Sequence, residues 1–211
     1  MKYILCYGDS NTWGCVPVKF TRYDFNVRWP GYMKNLLGQN YHVYENALNG
    51  RTTVFEDPIE EGRNGRTNFE VTLMENTPMD LFIIMLGTND VKNRFGKEAW
   101  DIGWGIDLLI SYVKKANCGL GGRTPEILIA SPIHLSSDWG ESLHHTVFSE
   151  KSIEKSKQLA EIYKFIAEKN QCHFIDASLY ASAVGDGIHM SAEGHGALGT
   201  AMAKKVKEII G

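Results

Sequence analysis

The sequence predicts an α/β fold built on a mostly parallel sheet, and two observations support this. Five apolar segments are short and continuous rather than alternating, which is typical of parallel strands covered on both faces. Segments with helical periodicity separate them, so strands and helices alternate along the chain. The chain has 211 residues and shows no repeat, low-complexity tract or linker. We therefore expect one domain over residues 1–211.

Each predicted strand is an apolar run that polar or turn residues end. The first run stops at Gly8, directly before an acid and a serine, and the third stops before another glycine, Gly87. In chain order, the predicted strands are Tyr3–Tyr7, Tyr41–Asn46, Leu81–Leu86, Ile127–Ala130 and Cys172–Ile175.

The predicted helices place apolar residues at helical spacing. The first has Pro30 in its opening turn and Gly38 just beyond its end, which are favoured positions for both residues. Ser191 is expected to cap the last helix, which ends near Ile209. The preceding four are Trp29–Leu37, Phe69–Asn76, Lys97–Lys115 and Glu150–Lys169.

Two stretches, residues 53–65 and 131–148, show no regular period. The second follows a strand and mixes polar residues with apolar ones. A lid, an oligomer contact and a plain surface excursion are all compatible with its length and composition. Its apolar residues, which suit a surface buried by another subunit, are Ile133, Leu135, Trp139 and Leu143.

Composition excludes several classes of protein. A net charge of -3 without a run of one sign gives no basic face for nucleic acid. No stretch has the apolar length needed to span a bilayer, so we expect no membrane partner. The four cysteines form no C-x-x-C pair, so we expect free thiols rather than disulfides or a zinc site. Free thiols fit a reducing compartment, and the cytoplasm is the expected location. The cysteines are Cys6, Cys15, Cys118 and Cys172.

Polar residues with catalytic potential follow four of the predicted strands. Ligands bind beyond the carboxyl ends of the strands in an open parallel sheet. Ser10 follows the first strand, Gly50 the second and Asn89 the third, while Asp186 and His189 follow the fifth after a short irregular piece. A serine, a glycine, an asparagine and an Asp–His pair at one edge are what acyl transfer needs.

The chemistry assigns a role to each of these residues. A serine hydroxyl is a weak nucleophile, so Ser10 needs a base, and His189 can be that base. Asp186, three residues earlier, can fix the tautomer of the imidazole and stabilise its charged form. The oxyanion formed on attack needs donors, which we expect to be the backbone N–H groups of Ser10 and Gly50 and the side-chain amide of Asn89.

These residues resemble the four blocks of the SGNH (GDSL-type) hydrolases, in the right order. The blocks are G-D-S at 8–10, Gly50, G-x-N-D at 87–90 and D-x-x-H at 186–189. The resemblance implies a three-layer α/β/α sandwich of flavodoxin-like type with five strands. It also implies a serine esterase without metal or other cofactor, with Ser10, Asp186 and His189 as the triad.

A closer likeness is to the arylesterase and acyltransferase branch of that family. V-R-W at 27–29, R-T-T at 51–53 and V-G-D-G-I-H at 184–189 all resemble it. The branch implies small acyl esters as substrates, acyl transfer to an alcohol or to peroxide as a further activity, and a compact homo-oligomer. Esters with a short acyl group, acetyl or aryl, are expected substrates, and acetylated sugars are the alternative.

The chain departs from the family pattern at Asn11, where leucine is usual. Gly50, Cys15 and Met190 also differ from the residues expected in the closer branch. These differences bear on the substrate pocket. The residues predicted to line it are Asn11, Trp13, Cys15, His134, Trp139, Ile188 and Met190.

Other interpretations of the same residues stay open. His134 follows the fourth strand at the catalytic edge and is the rival base, whereas His144 and His145 are expected to be solvated. Asp9 is expected to hold its loop, and Asp90 to cap the next segment.

Two further function classes remain as alternatives. A metal-dependent phosphoesterase could use Asp9, Asn89, Asp186 and His189 as ligands. A nucleotide-binding module has little support, because G-D-S-N-T-W-G is neither G-x-G-x-x-G nor a P-loop.

Overall fold

The fold is organised around a five-stranded, entirely parallel sheet. The computed structural model describes all residues from 1 to 211. The strands lie in the order β2-β1-β3-β4-β5. Each begins and ends within one residue of its predicted position. They are β1 (Lys2–Gly8), β2 (Tyr41–Ala47), β3 (Leu81–Met85), β4 (Glu126–Ser131) and β5 (His173–Asp176).

Six α-helices connect and follow the strands. The sequence predicts five of them, and it misses only α1, whose four residues are too few to show a period. Short 3-10 turns lie between them, including one at Leu143–Thr146. None of the helices has the length and apolar character that crossing a membrane requires. The helices are α1 (Ser10–Trp13), α2 (Trp29–Leu37), α3 (Phe69–Glu75), α4 (Ala99–Ala116), α5 (Glu150–Asn170) and α6 (Ala192–Ile210).

The helices cover both faces of the sheet, which explains the continuous apolar runs. Side chains of β1 alternate between two cores, with Ile4 and Cys6 in one and Leu5 and Tyr7 in the other. Helices α2 and α6 pack over the first face, and α3, α4 and α5 over the second. The architecture is therefore the predicted three-layer α/β/α sandwich.

The strand order creates a crevice at the end of β1. From β1 the chain crosses to β2 on one side and later to β3 on the other. The loops after β1 and β3 therefore diverge, which opens a crevice at the carboxyl edge, where ligands bind in such sheets. Ser10 lies one residue beyond the end of β1.

Candidate active site

A tight turn presents Ser10 at the end of β1. The Asp9 carboxylate accepts a hydrogen bond of 3.0 Å from the backbone N–H of Asn11 and so caps α1. A Cβ atom at Gly8 would lie 2.1 Å from the Thr12 hydroxyl, so only glycine permits this turn. Asp9 thus holds its loop, as the sequence indicates.

Ser10, His189 and Asp186 form an unbroken chain of hydrogen bonds. His189 Nδ1 lies 2.7 Å from Asp186 Oδ2, and His189 Nε2 lies 2.9 Å from Ser10 Oγ. A carboxylate can only accept, so Nδ1 donates to Asp186. In the neutral ring Nε2 is then free to accept the Ser10 hydroxyl proton. The structure thus brings the three predicted residues together in the required order.

Three backbone N–H groups hold the Asp186 carboxylate in place, in addition to the imidazole. Its Oδ1 accepts from the backbone N–H groups of Ile188 at 3.0 Å and His189 at 2.9 Å. Its Oδ2 also accepts from the N–H of Val18 at 3.1 Å. Burial alone would raise the pKa of Asp186, but these bonds and the imidazole outweigh burial and hold it well below its usual range. The carboxylate stays charged and orients His189.

The same contact makes His189 a stronger base than a free imidazole. Burial lowers the pKa of His189, but the bond to Asp186 and the nearby Cys15 thiol raise it by more, to about 9. The imidazolium that forms when Ser10 loses its proton is therefore stabilised where it forms.

Three donors surround the space beside Ser10. Gly50 has φ 79°, and its backbone N–H donates to no acceptor within the chain. This left-handed backbone conformation favours glycine, and a Cβ atom here would also lie 2.9 Å from Glu60 Oε2. Asn89 Nδ2 donates one proton to the Arg51 carbonyl at 3.1 Å, which leaves its second proton free. Ser10 lies in the first turn of α1, where backbone N–H groups lack helical acceptors.

Arg51 ties these donors to the sheet. Its guanidinium donates to the carbonyls of Gly8 at 3.1 Å and Asn46 at 2.7 Å, at the ends of β1 and β2. It also lies over the Tyr7 ring, 4.1 Å from the centroid. Because Arg51 follows Gly50 directly, these contacts fix the Gly50 peptide against the catalytic edge.

A cleft opens over Ser10 and is lined by both apolar and polar side chains. Ser10, Gly50, Asn89 and His189 all line it. Its other apolar lining residues are Phe20, Val147, Phe148, Ile188 and Cys15, and its other polar ones are Asn49, Glu60, Lys92 and His144.

Among the predicted pocket residues, only Cys15 and Ile188 line the cleft. Asn11 is buried beneath it, where its amide donates to the Ile188 carbonyl at 3.1 Å and accepts from the Met190 N–H at 3.3 Å. Met190 is fully buried in the core. The leucine-to-asparagine departure therefore serves the backbone of the catalytic loop rather than the substrate.

The remaining three predicted pocket residues also lie outside the cleft lining. Arg22 covers the ring of Trp13 at 5.0 Å. His134 is half-buried between two core residues, away from the cleft. Trp139 stacks on Phe148, with 6.2 Å between ring centroids, so it packs against a residue that lines the cleft without lining the cleft itself.

The 131–148 stretch covers the site but does not present the expected apolar surface. Ile133 and Leu135 are buried in the two cores, and only Leu143 is strongly exposed, at 73%. Its last part supplies three cleft residues, including His144 and Phe148. The expectation that His144 is solvated is therefore wrong, although His145 is exposed.

Several cleft residues escaped the sequence reasoning. Lys92 lies three residues after Asn89, on the same loop, so the rule that ligands bind at strand ends could have found it. Phe20 and Glu60 lie in irregular loops that give no such signal. Asp90 does not cap the next segment, because its carboxylate instead accepts from the N–H and hydroxyl of Thr53, at 2.8 and 2.5 Å.

Comparison with known proteins identifies the family. The model of the GDSL-like lipase/acylhydrolase family matches residues 6–197. The chain belongs to this family. It is accordingly a carboxylic ester hydrolase, which confirms the resemblance stated from the sequence and favours the esterase over the phosphoesterase and nucleotide-binding alternatives.

Solved structures of the family share the whole fold. An aryl esterase from M. smegmatis is 35% identical, with a TM-score of 0.93 and 100% of both chains covered. A carbohydrate acetylesterase from Sinorhizobium meliloti is 37% identical, with a TM-score of 0.94 and 100% of both chains covered. No curated protein matches the chain at a significant level. The predicted fold class is confirmed.

Proposed function

We propose that Ser10 is the nucleophile of a serine esterase, that His189 is its base and that Asp186 orients the base. The observation that carries this is the continuous hydrogen-bond chain from Ser10 Oγ through the imidazole to the Asp186 carboxylate. Cysteine, histidine and acidic side chains form no group of three or more that could hold a metal ion.

The reaction proceeds through an acyl-enzyme. Ser10 Oγ attacks the ester carbonyl carbon while His189 Nε2 takes its proton. The oxyanion accepts hydrogen bonds from the N–H groups of Ser10 and Gly50 and from the free amide proton of Asn89. His189 then gives its proton to the leaving alcohol oxygen. Water, activated by the same nitrogen, releases the acid and restores Ser10.

The replacement of Ser10 by alanine tests this assignment. Ser10→Ala should abolish p-nitrophenyl acetate hydrolysis and covalent labelling by a fluorophosphonate, because both need the Oγ atom. Ser111→Ala, at a half-buried serine on α4 outside the cleft, is the matched control and should retain both. Turnover like that of the wild type in a folded Ser10→Ala protein would refute the serine mechanism.

We further propose esters of short acyl groups, acetyl above all, as substrates. Phe148 and Ile188 line the cleft and offer apolar contacts to a short acyl group. The two similar structures, an aryl esterase and a carbohydrate acetylesterase, support aryl and acetylated-sugar esters respectively. The charged lining residues Glu60 and Lys92 favour the second of these. A series of p-nitrophenyl esters of increasing chain length, with acetylated sugars beside it, distinguishes these substrates.

Transfer of the acyl group to an alcohol is a second proposed activity, since an alcohol can replace water at the acyl-enzyme. The cleft is lined by both polar and apolar residues, which can contact the hydroxyl and the carbon chain of such an acceptor. Product analysis of an ester incubated with a primary alcohol measures the ratio of transfer to hydrolysis. Hydrolysis alone at high alcohol concentration would contradict this activity.

A homo-oligomer is also proposed, on a different surface from the one that the sequence indicates. Trp100, Trp104 and Phe165 stack together on α4 and α5 and are 45%, 46% and 48% exposed. A contiguous aromatic patch of this kind marks an interaction surface. Light scattering at micromolar concentration should show more than a monomer, and Trp104→Ala should weaken the assembly.

We also propose that the chain forms one domain and that the protein lies in the cytoplasm. One domain over residues 1–211 is supported by the two cores, which share a single sheet, and one cooperative calorimetric transition would test it. A cytoplasmic location is supported by the absence of any disulfide among the four cysteines, and cell fractionation would test it.

A further inference from the structure

A second histidine, His144, lies beside the catalytic imidazole and takes no part in the reaction described above. Its ring centroid is 5.9 Å from that of His189. The Phe20 ring is nearly perpendicular to both imidazoles, and its centroid lies 5.6 Å from that of His144 and 6.3 Å from that of His189. His144 therefore borders the part of the cleft that His189 faces.

The hydrogen bond at its other nitrogen fixes the tautomer of His144. Nδ1 lies 3.0 Å from the Asp186 carbonyl oxygen. A carbonyl only accepts, so Nδ1 carries the proton. Burial lowers the pKa of His144 and outweighs the effect of this bond, so the ring is neutral at pH 7. Nε2 then holds a lone pair, and no donor of the chain hydrogen-bonds to it.

The position of the leaving alcohol follows from the mechanism. His189 Nε2 protonates the leaving oxygen, which must lie within about 3 Å of that nitrogen. A hydroxyl group on the adjacent carbon can donate to an acceptor about 2.8 Å from its own oxygen. Because the path from His189 Nε2 through the two oxygens can bend, an imidazole whose ring centroid lies only 5.9 Å from that of His189 is within reach of this hydroxyl.

We propose that His144 determines specificity for the leaving group: its Nε2 accepts a hydrogen bond from a hydroxyl neighbouring the ester oxygen. The favoured substrates are monoesters of vicinal diols and polyols. This inference rests on the proposed esterase function and assigns a substrate class to the same site. Glu60 and Lys92 also line the cleft and offer further hydrogen-bonding groups to a longer polyol.

Two small acetates test the proposal. 2-Hydroxyethyl acetate carries the donor, and 2-methoxyethyl acetate has the same chain without it. Wild-type protein should show a kcat/KM about 3- to 10-fold higher for the hydroxyl ester, the range for one neutral hydrogen bond. His144→Asn keeps a side-chain N–H for the Asp186 carbonyl, but its side chain is too short to place the amide oxygen where His144 Nε2 lies, so the ratio should fall to near one.

Controls separate recognition from damage to the triad. A general loss of activity in the variant acts on both esters and leaves their ratio unaffected, so the ratio alone reports recognition. His145→Asn, at the exposed neighbouring histidine, should keep the wild-type ratio. His144→Phe serves as a second variant if His144→Asn is unstable in a thermal melt.

The outcomes are distinct from failure of the esterase function itself. Equal rates for the two esters in the wild type, or an unchanged ratio in a folded His144 variant, would overturn the role of His144 while leaving the esterase intact. Failure of the wild type to hydrolyse either ester, or p-nitrophenyl acetate, would overturn the esterase function and this proposal with it.

Discussion

Removal of the Asn89 amide should lower kcat strongly and the stability of the fold only slightly. Asn89 donates one proton to the Arg51 carbonyl and has a second for the oxyanion. Loss of one oxyanion donor typically costs about 2.7–4 kcal/mol of transition-state stabilisation, or roughly 100- to 1,000-fold in kcat. Asn89→Ala should therefore lower kcat by that factor and change KM little, because the oxyanion exists only after attack.

The stability cost of the same change should be small. Asn89→Ala removes one hydrogen bond between a side chain and a backbone carbonyl, which is worth about 1 kcal/mol. For a chain of this size that corresponds to a decrease of about 2–4 °C in Tm. Saturation kinetics with p-nitrophenyl acetate and a thermal melt give both quantities from one preparation.

Asn49→Ala is the matched control for Asn89→Ala. Asn49 lines the same cleft and adjoins Gly50, but its Oδ1 has no partner within the chain. Its replacement should change kcat by less than about tenfold, the effect of a single ordinary hydrogen bond. If Asn89→Ala keeps more than a tenth of the wild-type kcat, its amide is not an oxyanion donor. A decrease in Tm of more than 10 °C would instead attribute the loss of activity to a disrupted fold.

Four further predictions concern the base, the pH dependence, the effect of EDTA and the core. His189→Ala should lower turnover by about four orders of magnitude or more and His134→Ala by less than tenfold, measured with p-nitrophenyl acetate; the reverse pattern would make His134 the base. Because protonated His189 cannot accept the Ser10 proton, and its pKa is raised to about 9, kcat/KM should rise with pH with a midpoint above the usual 6.5. The same activity should survive EDTA, and a loss that a divalent ion restores would favour a metal-dependent mechanism. Tyr163→Phe removes the hydroxyl that donates a 2.9 Å hydrogen bond to the buried Leu86 carbonyl. Calorimetry should show a decrease of about 1–3 kcal/mol in the free energy of unfolding. An unchanged Tm would show that this bond contributes nothing.

The sequence predicts the sheet and the position of the site because both depend on local signals. Strands buried on both faces need unbroken apolar runs, so β1 and β3 are visible from composition alone. In a parallel sheet all carboxyl ends share one edge, so Ser10, Asn89 and His189 had to meet. Ser10 and His189 lie within hydrogen-bond distance and Asn89 lines the same cleft, which is consistent with this reasoning. Their catalytic roles remain predictions for the variants above to test.

The lining of the cleft could not be predicted, because contacts distant in sequence determine it. Asn11 adjoins the nucleophile, but its amide is used by the backbone of Ile188 and Met190, on the far end of the chain. His144 enters the cleft because a carbonyl 42 positions later holds its ring. No periodicity or motif records such pairings. Nearness to Ser10 in sequence was therefore a poor guide to contact with substrate.

The separation of 179 positions between Ser10 and His189 affects how the enzyme is made. During synthesis the nucleophile leaves the ribosome 179 positions before its base. Most of the sheet can be in place before the loop carrying Asp186 and His189 exists, since only β5 and the final helix come close to it in sequence. A nascent chain thus carries an unactivated serine for most of its translation. Hydrolytic activity begins only when the most distant contact in the site closes, a step that topology makes slow.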